Sequence, residues 1–424
     1  MRFRRGRKLT VALVGMALLT ACGTSGQAAD ETVTNFVTPA PTSSAAPSSD
    51  PAGSQSPSDS PTPSPSPAAA SSAAPADPNA APQDGVALSD GFVPKKLQPG
   101  EKPPQFIVVS FDGVGWHEKW QHWLDIAKQV PFRFTGFLSG TYMLSDQTKM
   151  AYQGPGHGPG KSSINWNTAA DLPIEISDLN QAYAAGMEIG THFNGHFCAG
   201  AEPSGNQWST ADWNNELDQF FALVKNVKVN NPGVTMPDLA FDGSEVKGER
   251  TPCLEGHAED LFPALTAHNM TYDSSFTRHG ISWPTQSPQN QIWQFGMAEY
   301  PLHGTGHFQI TMDYNFYYSQ RNASSAGVSQ ADSDADAAQV QATYQDMYDA
   351  TFNGNRAPLV LGNHFNDWNN DAYETALTNF VLASCGKPDT QCVPFRDVLA
   401  WMSVQDPARL AQLQAQAPET GSGT

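Results

Sequence analysis

Phe106-Ile107-Val108-Val109-Ser110-Phe111-Asp112-Gly113 is an apolar run that ends abruptly in an acid and a glycine. Its length and β-branched content read as a buried strand. Directly after it, Trp116, Trp120, Trp123 and Ala127 recur at helical spacing up to Gln129. A second apolar stretch, Phe132 to Leu138, reads as the next strand. The chain thus alternates strand and helix, and the pattern continues. After an irregular Gly/Pro-rich insertion that includes residues 152–160, Ser177 would cap a helix ended by Gly186, and a short strand follows. Ser209 or Thr210 would cap a helix with Trp213, Leu217, Phe220, Phe221 and Val224 on one face. Strands are expected near 239–241, 271–273, 292–295, 308–314, 359–361 and 393–395. Helices are expected near 254–268, 335–351, 372–382 and 398–402. Repeated strand–helix units over this length predict one α/β domain of barrel type, spanning 99–410 with a flexible tail at 411–424.

In such barrels the functional side chains gather beyond the C-terminal ends of the strands. Asp112 follows the first strand. His192 and His196 follow the third, in Met187 to Cys198, where Gly190, Asn194 and Gly195 break regularity. Two histidines four apart share a face if they lie on one helical turn, and imidazole suits a divalent metal. Phe193 stands between them where a zincin would carry its glutamate, so that chemistry is excluded. Arg250 lies after a strand-like stretch, and His364 follows the apolar run 359–361. Singly, each reads as a surface or structural residue; the joint placement points to a site.

The N-terminal part is different material. Met1 to Lys8 is basic, Leu9 to Leu19 is apolar, and Leu19-Thr20-Ala21-Cys22 resembles a lipobox. Residues 1–22 are expected to be a lipoprotein signal, with Cys22 lipid-modified and the chain anchored outside the cytoplasm. Residues 23–98 are dominated by Ala, Pro and Ser, too polar to offset the entropy of ordering, and read as a disordered tether. The formal charge of −19 has no basic stripe within it, which argues against nucleic acid or anionic lipid as the main partner. Cys198, Cys253, Cys385 and Cys392 are even in number, which suggests disulfides. Three connectivities are open; pairing of Cys385 with Cys392 would close a short loop.

With these residues in view, the domain resembles the polysaccharide deacetylase family of NodB-homology fold, nearest its chitin deacetylase-like branch. The strand ending Ser110-Phe111-Asp112-Gly113, the His192/His196 pair, Arg250-Thr251-Pro252, Tyr272 to Ser275 and Leu361-Gly362-Asn363-His364 carry the resemblance. So does Val393 to Met402 at the end. The resemblance implies a deformed (β/α) barrel and metal-dependent removal of an N- or O-acetyl group from a wall or extracellular polysaccharide. It implies a divalent ion, with zinc the expected one, on His192 and His196. It makes Asp112 the base, His364 the acid, and Arg250 the group that holds Asp112 ionised. Trp116, Trp283, Trp293 and Trp368 are candidates for stacking on sugar rings. The family uses two adjacent aspartates, and here Gly113 replaces the second, the metal ligand. Asp112 itself, His117 and Asn194 are candidates for a third ligand; with Asp112 as ligand the site has no base. A non-catalytic glycan-binding protein on the same fold is the alternative.

Overall fold

The computed structural model describes residue 77 and residues 79–421. The expected signal at 1–22, the Cys22 anchor and most of the tether lie outside the described residues.

Strand β1 (Gln105–Asp112) is buried at every position. Period-two alternation puts Ser110 and Asp112 on one face and Phe111 on the other. Phe111 packs on Trp123 of helix α1 (His117–Ala127), with ring centroids 4.8 Å apart, and Phe134 and Phe365 complete that aromatic layer. Then come β2 (Thr135–Leu138), α2 (Leu172–Ala184), β3 (Glu188–Thr191), α3 (Thr210–Lys225), the single turn α4 (Val227–Asn230) and β4 (Gly248–Glu249). They are followed by α5 (Ala258–Ala267), β5 (Tyr272–Asp273), β6 (Thr277–His279), β7 (Thr285–Gln286), β8 (Trp293–Gln294), β9 (Met297–Pro301) and β10 (Phe308–Ile310). Helices α6 (Asp313–Arg321) and α7 (Gln330–Asn353) lead to β11 (Leu359–His364). Helix α8 (Trp368–Ser384), β12 (Thr390–Cys392), α9 (Phe395–Ser403) and α10 (Pro407–Gln414) finish the chain.

The main sheet has the order β11-β1-β2-β3-β4-β5-β8-β7, with β12 paired to the start of β1. Its pairs are parallel except β7–β8. It is a curled, open half-barrel: the α/β barrel expected from the alternation, in the deformed form the resemblance implies. β10, β9 and β6 form a second small sheet. Inside the curl, Phe395 packs on Phe137, Tyr272 and Phe295 at centroid distances of 5.8, 5.1 and 5.0 Å. Parallel pairing aligns the strand ends: Asp112 lies opposite His364 in register.

Several expected elements move. The strand expected near 239–241 is a loop, because Asp242 caps a short turn at Gly243–Glu245. The strand that pairs with β3 is the two-residue Gly248–Glu249, too short and too polar to show a strand pattern. Helix α2 begins five residues before Ser177, with a proline in its first turn, so Ser177 lies inside it rather than capping it. The strand expected over 308–314 stops at Ile310, and Asp313 opens a helix instead. The strand expected at 393–395 sits at 390–392. The packed domain also extends past 99–410 at both ends. Phe92 is buried against the core, Leu413 is buried, and Ile281 and Glu419 exchange backbone hydrogen bonds at 2.9 and 3.0 Å.

Candidate active site

Four strand ends supply the site. Asp112 closes β1 and His364 closes β11; His192 directly follows β3, and Arg250 directly follows β4. Arg250 is fully buried and spends its whole guanidinium on fixed partners. Nη1 donates to Asp112 Oδ1 and to Ser110 Oγ, both at 2.8 Å; Nη2 donates to Ser274 Oγ at 2.9 Å; Nε donates to the Ser274 carbonyl at 3.0 Å. The alternation of β1 explains why Ser110 and Asp112 both reach it. Burial pushes the Asp112 carboxyl up, but the charge of Arg250, with His192 and His364 behind it, wins and holds it below the usual range.

His192 Nδ1 donates to the Arg250 carbonyl at 2.8 Å, which fixes the tautomer and leaves the lone pair on Nε2. Burial drives its pKa down to about 3, against the pull of Asp112. Burial, reinforced by His364, drives His196 down to about 4. Both rings are therefore neutral near pH 7, the form that ligates a metal. Their centroids lie 5.2 Å apart. The loop between them is not a helical turn: Phe193 and His196 have φ of 57° and 53°. What holds that backbone is Glu216 of α3, which is buried. Its Oε1 accepts from the amides of Asn194 and Gly195 at 3.1 and 3.3 Å and from the Tyr152 hydroxyl at 2.9 Å. The Asn194 side chain donates back to the Glu216 carbonyl at 2.8 Å. Burial raises Glu216 to about 7 in spite of these donors. A Cys198–Cys253 disulfide ties this loop to the segment after Arg250, and Cys385 pairs with Cys392.

His364 is braced from behind. Its Nδ1 donates to Asp313 Oδ1 at 2.7 Å. The same carboxylate accepts from the His364 amide at 2.7 Å and from Asn366 Nδ2 at 2.8 Å through Oδ2. Asp313 is buried, and it opens α6 in a region whose sequence pattern is weak. Neither it nor Glu216 stands out in the sequence as a partner of the site. Asp313 sits where a strand is expected, and Glu216 reads as the polar side of an amphipathic helix.

The structure spends the other ligand candidates elsewhere. His117 Nδ1 bonds the Asp178 carboxylate at 2.8 Å, and Asn194 serves Glu216. Among the described residues, the one group of three ligand-type side chains with mutually close donor atoms is His196, Cys198 and Cys253. Its two sulfurs are joined in a disulfide and offer no thiolate. The neutral imidazoles of His192 and His196 are the donors that would hold a divalent ion, and among the described residues no third ligand-type side chain groups with the pair. Gly113 has φ +74°, and a Cβ there would meet only Ser139 Oγ and Tyr142 Oη, each at 3.9 Å. A Cβ therefore has room there, although the left-handed backbone strains any side chain other than glycine's. Of the aromatic candidates, Trp283 is core: it is 2 % exposed, its indole N–H donates to the Asn355 carbonyl, and it stacks on Trp401. Trp116 and Trp293 are partly exposed. Trp368 lies beside the site, its ring 5.3 Å from that of His364.

No family model matches the chain, and no curated protein does. Solved structures do resemble it. A proposed polysaccharide deacetylase from Mycobacterium smegmatis aligns at 13% identity and a TM-score of 0.44, over 78% of this chain and 98% of that one. A family 4 carbohydrate esterase from Streptomyces lividans, in complex with acetate, aligns at 12% and 0.32, over 68% and 92%. A family 4 pseudoenzyme from Bacillus anthracis aligns at 11% and 0.36, over 72% and 70%.

Proposed function

We propose that the chain is a carbohydrate deacetylase that removes an acetyl group from an N- or O-acetylated wall or extracellular glycan. One observation carries the reading. Asp112 and His364 stand opposite each other at adjacent strand ends, each backed by a buried counter-charge, Arg250 behind one and Asp313 behind the other. Asp112 takes the proton of the attacking water. His364, entering the step as the imidazolium with Nδ1–H held by Asp313, gives its Nε2 proton to the departing amine or alkoxide and is left neutral, so that water and amide (or ester) become acetate and amine (or alcohol). Arg250 keeps Asp112 ionised and aimed. His192 and His196 would hold a divalent cation, zinc first, which when bound supplies Lewis-acid polarisation of the acetyl carbonyl. The two disulfides support a place outside the reducing cytoplasm, as does the lipobox-like Leu19 to Cys22 for a membrane anchor.

The test is acetate release from chitin oligomers, peptidoglycan and acetylated xylan, with and without added zinc or cobalt. Release that depends on metal and drops in His192→Ala and Asp112→Asn is the expected result. Absence of release on every substrate, with His192→Ala indistinguishable from the parent, sinks the reading. Gly113 favours a second one, a glycan-binding protein without turnover on the same fold. Substoichiometric metal in the purified protein together with retained glycan binding would select it.

A further inference from the structure

Helix α6 begins at Asp313, which braces His364, and runs on for nine residues. Phe316 and Tyr317 are buried, but its other two aromatic side chains are exposed. Tyr314 is 39 % and Tyr318 60 % exposed, and at i and i+4 they share one face. Trp368 links this face to the acid: its ring lies 5.3 Å from His364, 5.4 Å from Tyr314 and 5.5 Å from Tyr317, which stacks on it. Tyr317 is itself fixed by its hydroxyl to Ser325 Oγ at 2.9 Å. Beyond Tyr318 lies a hollow of about 630 Å³, lined also by Arg321, Asn322, Ser324 and Asp332. An aromatic face leading to a wall of amide, hydroxyl and charged groups offers what a sugar needs: a ring for its apolar C–H face and polar partners for its hydroxyls.

We propose that Tyr314, Tyr318 and this hollow form a subsite for a glycan chain running away from His364 along α6. Tyr318 lies five residues from Asp313, roughly 7–8 Å along the helix axis. A sugar seated at His364 and Trp368 leaves Tyr318 and the hollow to further units of the chain. The inference rests on the proposed carbohydrate reading and adds to it the path the glycan takes, along α6 over Tyr314 and Tyr318. Tyr318 is 60 % exposed, so its substitution leaves the fold in place.

The experiment is calorimetric titration of the full chain with N-acetylglucosamine oligomers and acetylated xylo-oligomers, from the monosaccharide to the hexasaccharide. Affinity should rise with chain length in at least one series. Tyr318→Ala should weaken hexasaccharide binding a few-fold to about tenfold and leave the shortest ligand unchanged, while Tyr318→Phe keeps the affinity. Affinity flat with length, no binding in either series, or Tyr318→Ala equal to the parent overturns the subsite. Acetate is not the readout: length-dependent binding without turnover would defeat the hydrolase reading and leave the subsite standing.

Discussion

Breaking the Arg250–Asp112 pair leaves a buried charge without its counter-charge. Arg250→Ala should cost about 3–5 kcal/mol of stability, measured by denaturant unfolding. It should also abolish acetate release, because Asp112 loses the group that keeps it ionised. Asp112→Asn keeps the shape but not the base, and should lower kcat by about 10²–10⁴-fold with a smaller effect on stability. Gly113 makes the opposite test. Asp is among the few residues that tolerate a positive φ, and the space beside Ser139 and Tyr142 is open. Gly113→Asp should tighten zinc binding by about tenfold or more, ~1.4 kcal/mol, read by titration against a chelator. Unchanged affinity would mean that a carboxylate here does not reach an ion on His192 and His196. Asp112, His192 and His364 were legible in the sequence because each ends or follows an apolar run, and His196 because it pairs with His192; Arg250 was legible only through Arg250-Thr251-Pro252, since the two-residue strand before it shows no pattern. Asp313 and Glu216 were not, since a buried carboxylate acquires its meaning from partners 51 and 22 residues away in sequence.

At the scale of elements, the histidine loop is held by α3 from one side and by a disulfide from the other. Burial raises the Glu216 pKa from 4.5 to about 7, so between those values the folded state binds more protons than the unfolded one. Its contribution to stability is therefore fully present below about 4.5 and is lost as pH rises through about 7. Glu216→Gln removes that dependence while keeping an acceptor for the Asn194 and Gly195 amides. The difference in stability between variant and parent should move in the variant's favour as pH rises across this window, followed by unfolding curves at matched pH. A difference that does not change with pH would mean that Glu216 titrates normally. The Cys198–Cys253 bond closes a loop with a sequence separation of 55. Its removal as a double Cys→Ser variant should cost about 2–5 kcal/mol and loosen zinc binding together with it. The sequence shows why this loop is irregular, with Gly190, Asn194 and Gly195 in it. It does not show that the backbone turns left-handed at Phe193 and His196, because neither residue type prefers that conformation; α3 and the disulfide impose it.

For the whole molecule, the domain edges lie further out than composition suggests. Leu413 is buried, and Glu419 accepts the Asn355 amide at 3.0 Å through its side chain. Truncation after residue 410 should lower Tm by several degrees in a thermal melt, since each kcal/mol lost from a domain of this size shifts Tm by about 2–4 °C. An unchanged Tm would return 411–421 to a loose tail. Strand–helix alternation and the polar residues at strand ends were determined by the sequence alone, because local periodicity and burial demand leave an imprint on neighbouring residues. So were the contrast between the tether and the domain and the expectation of disulfides. The tertiary structure alone decided what no local pattern encodes. It chose the register that sets Asp112 opposite His364 and the two-residue strand that delivers Arg250. It placed the carboxylates behind the histidines and laid α6 beside the acid. Gly113 belongs to both accounts: its identity is written in the chain, and only the folded site shows the space a second carboxylate would fill.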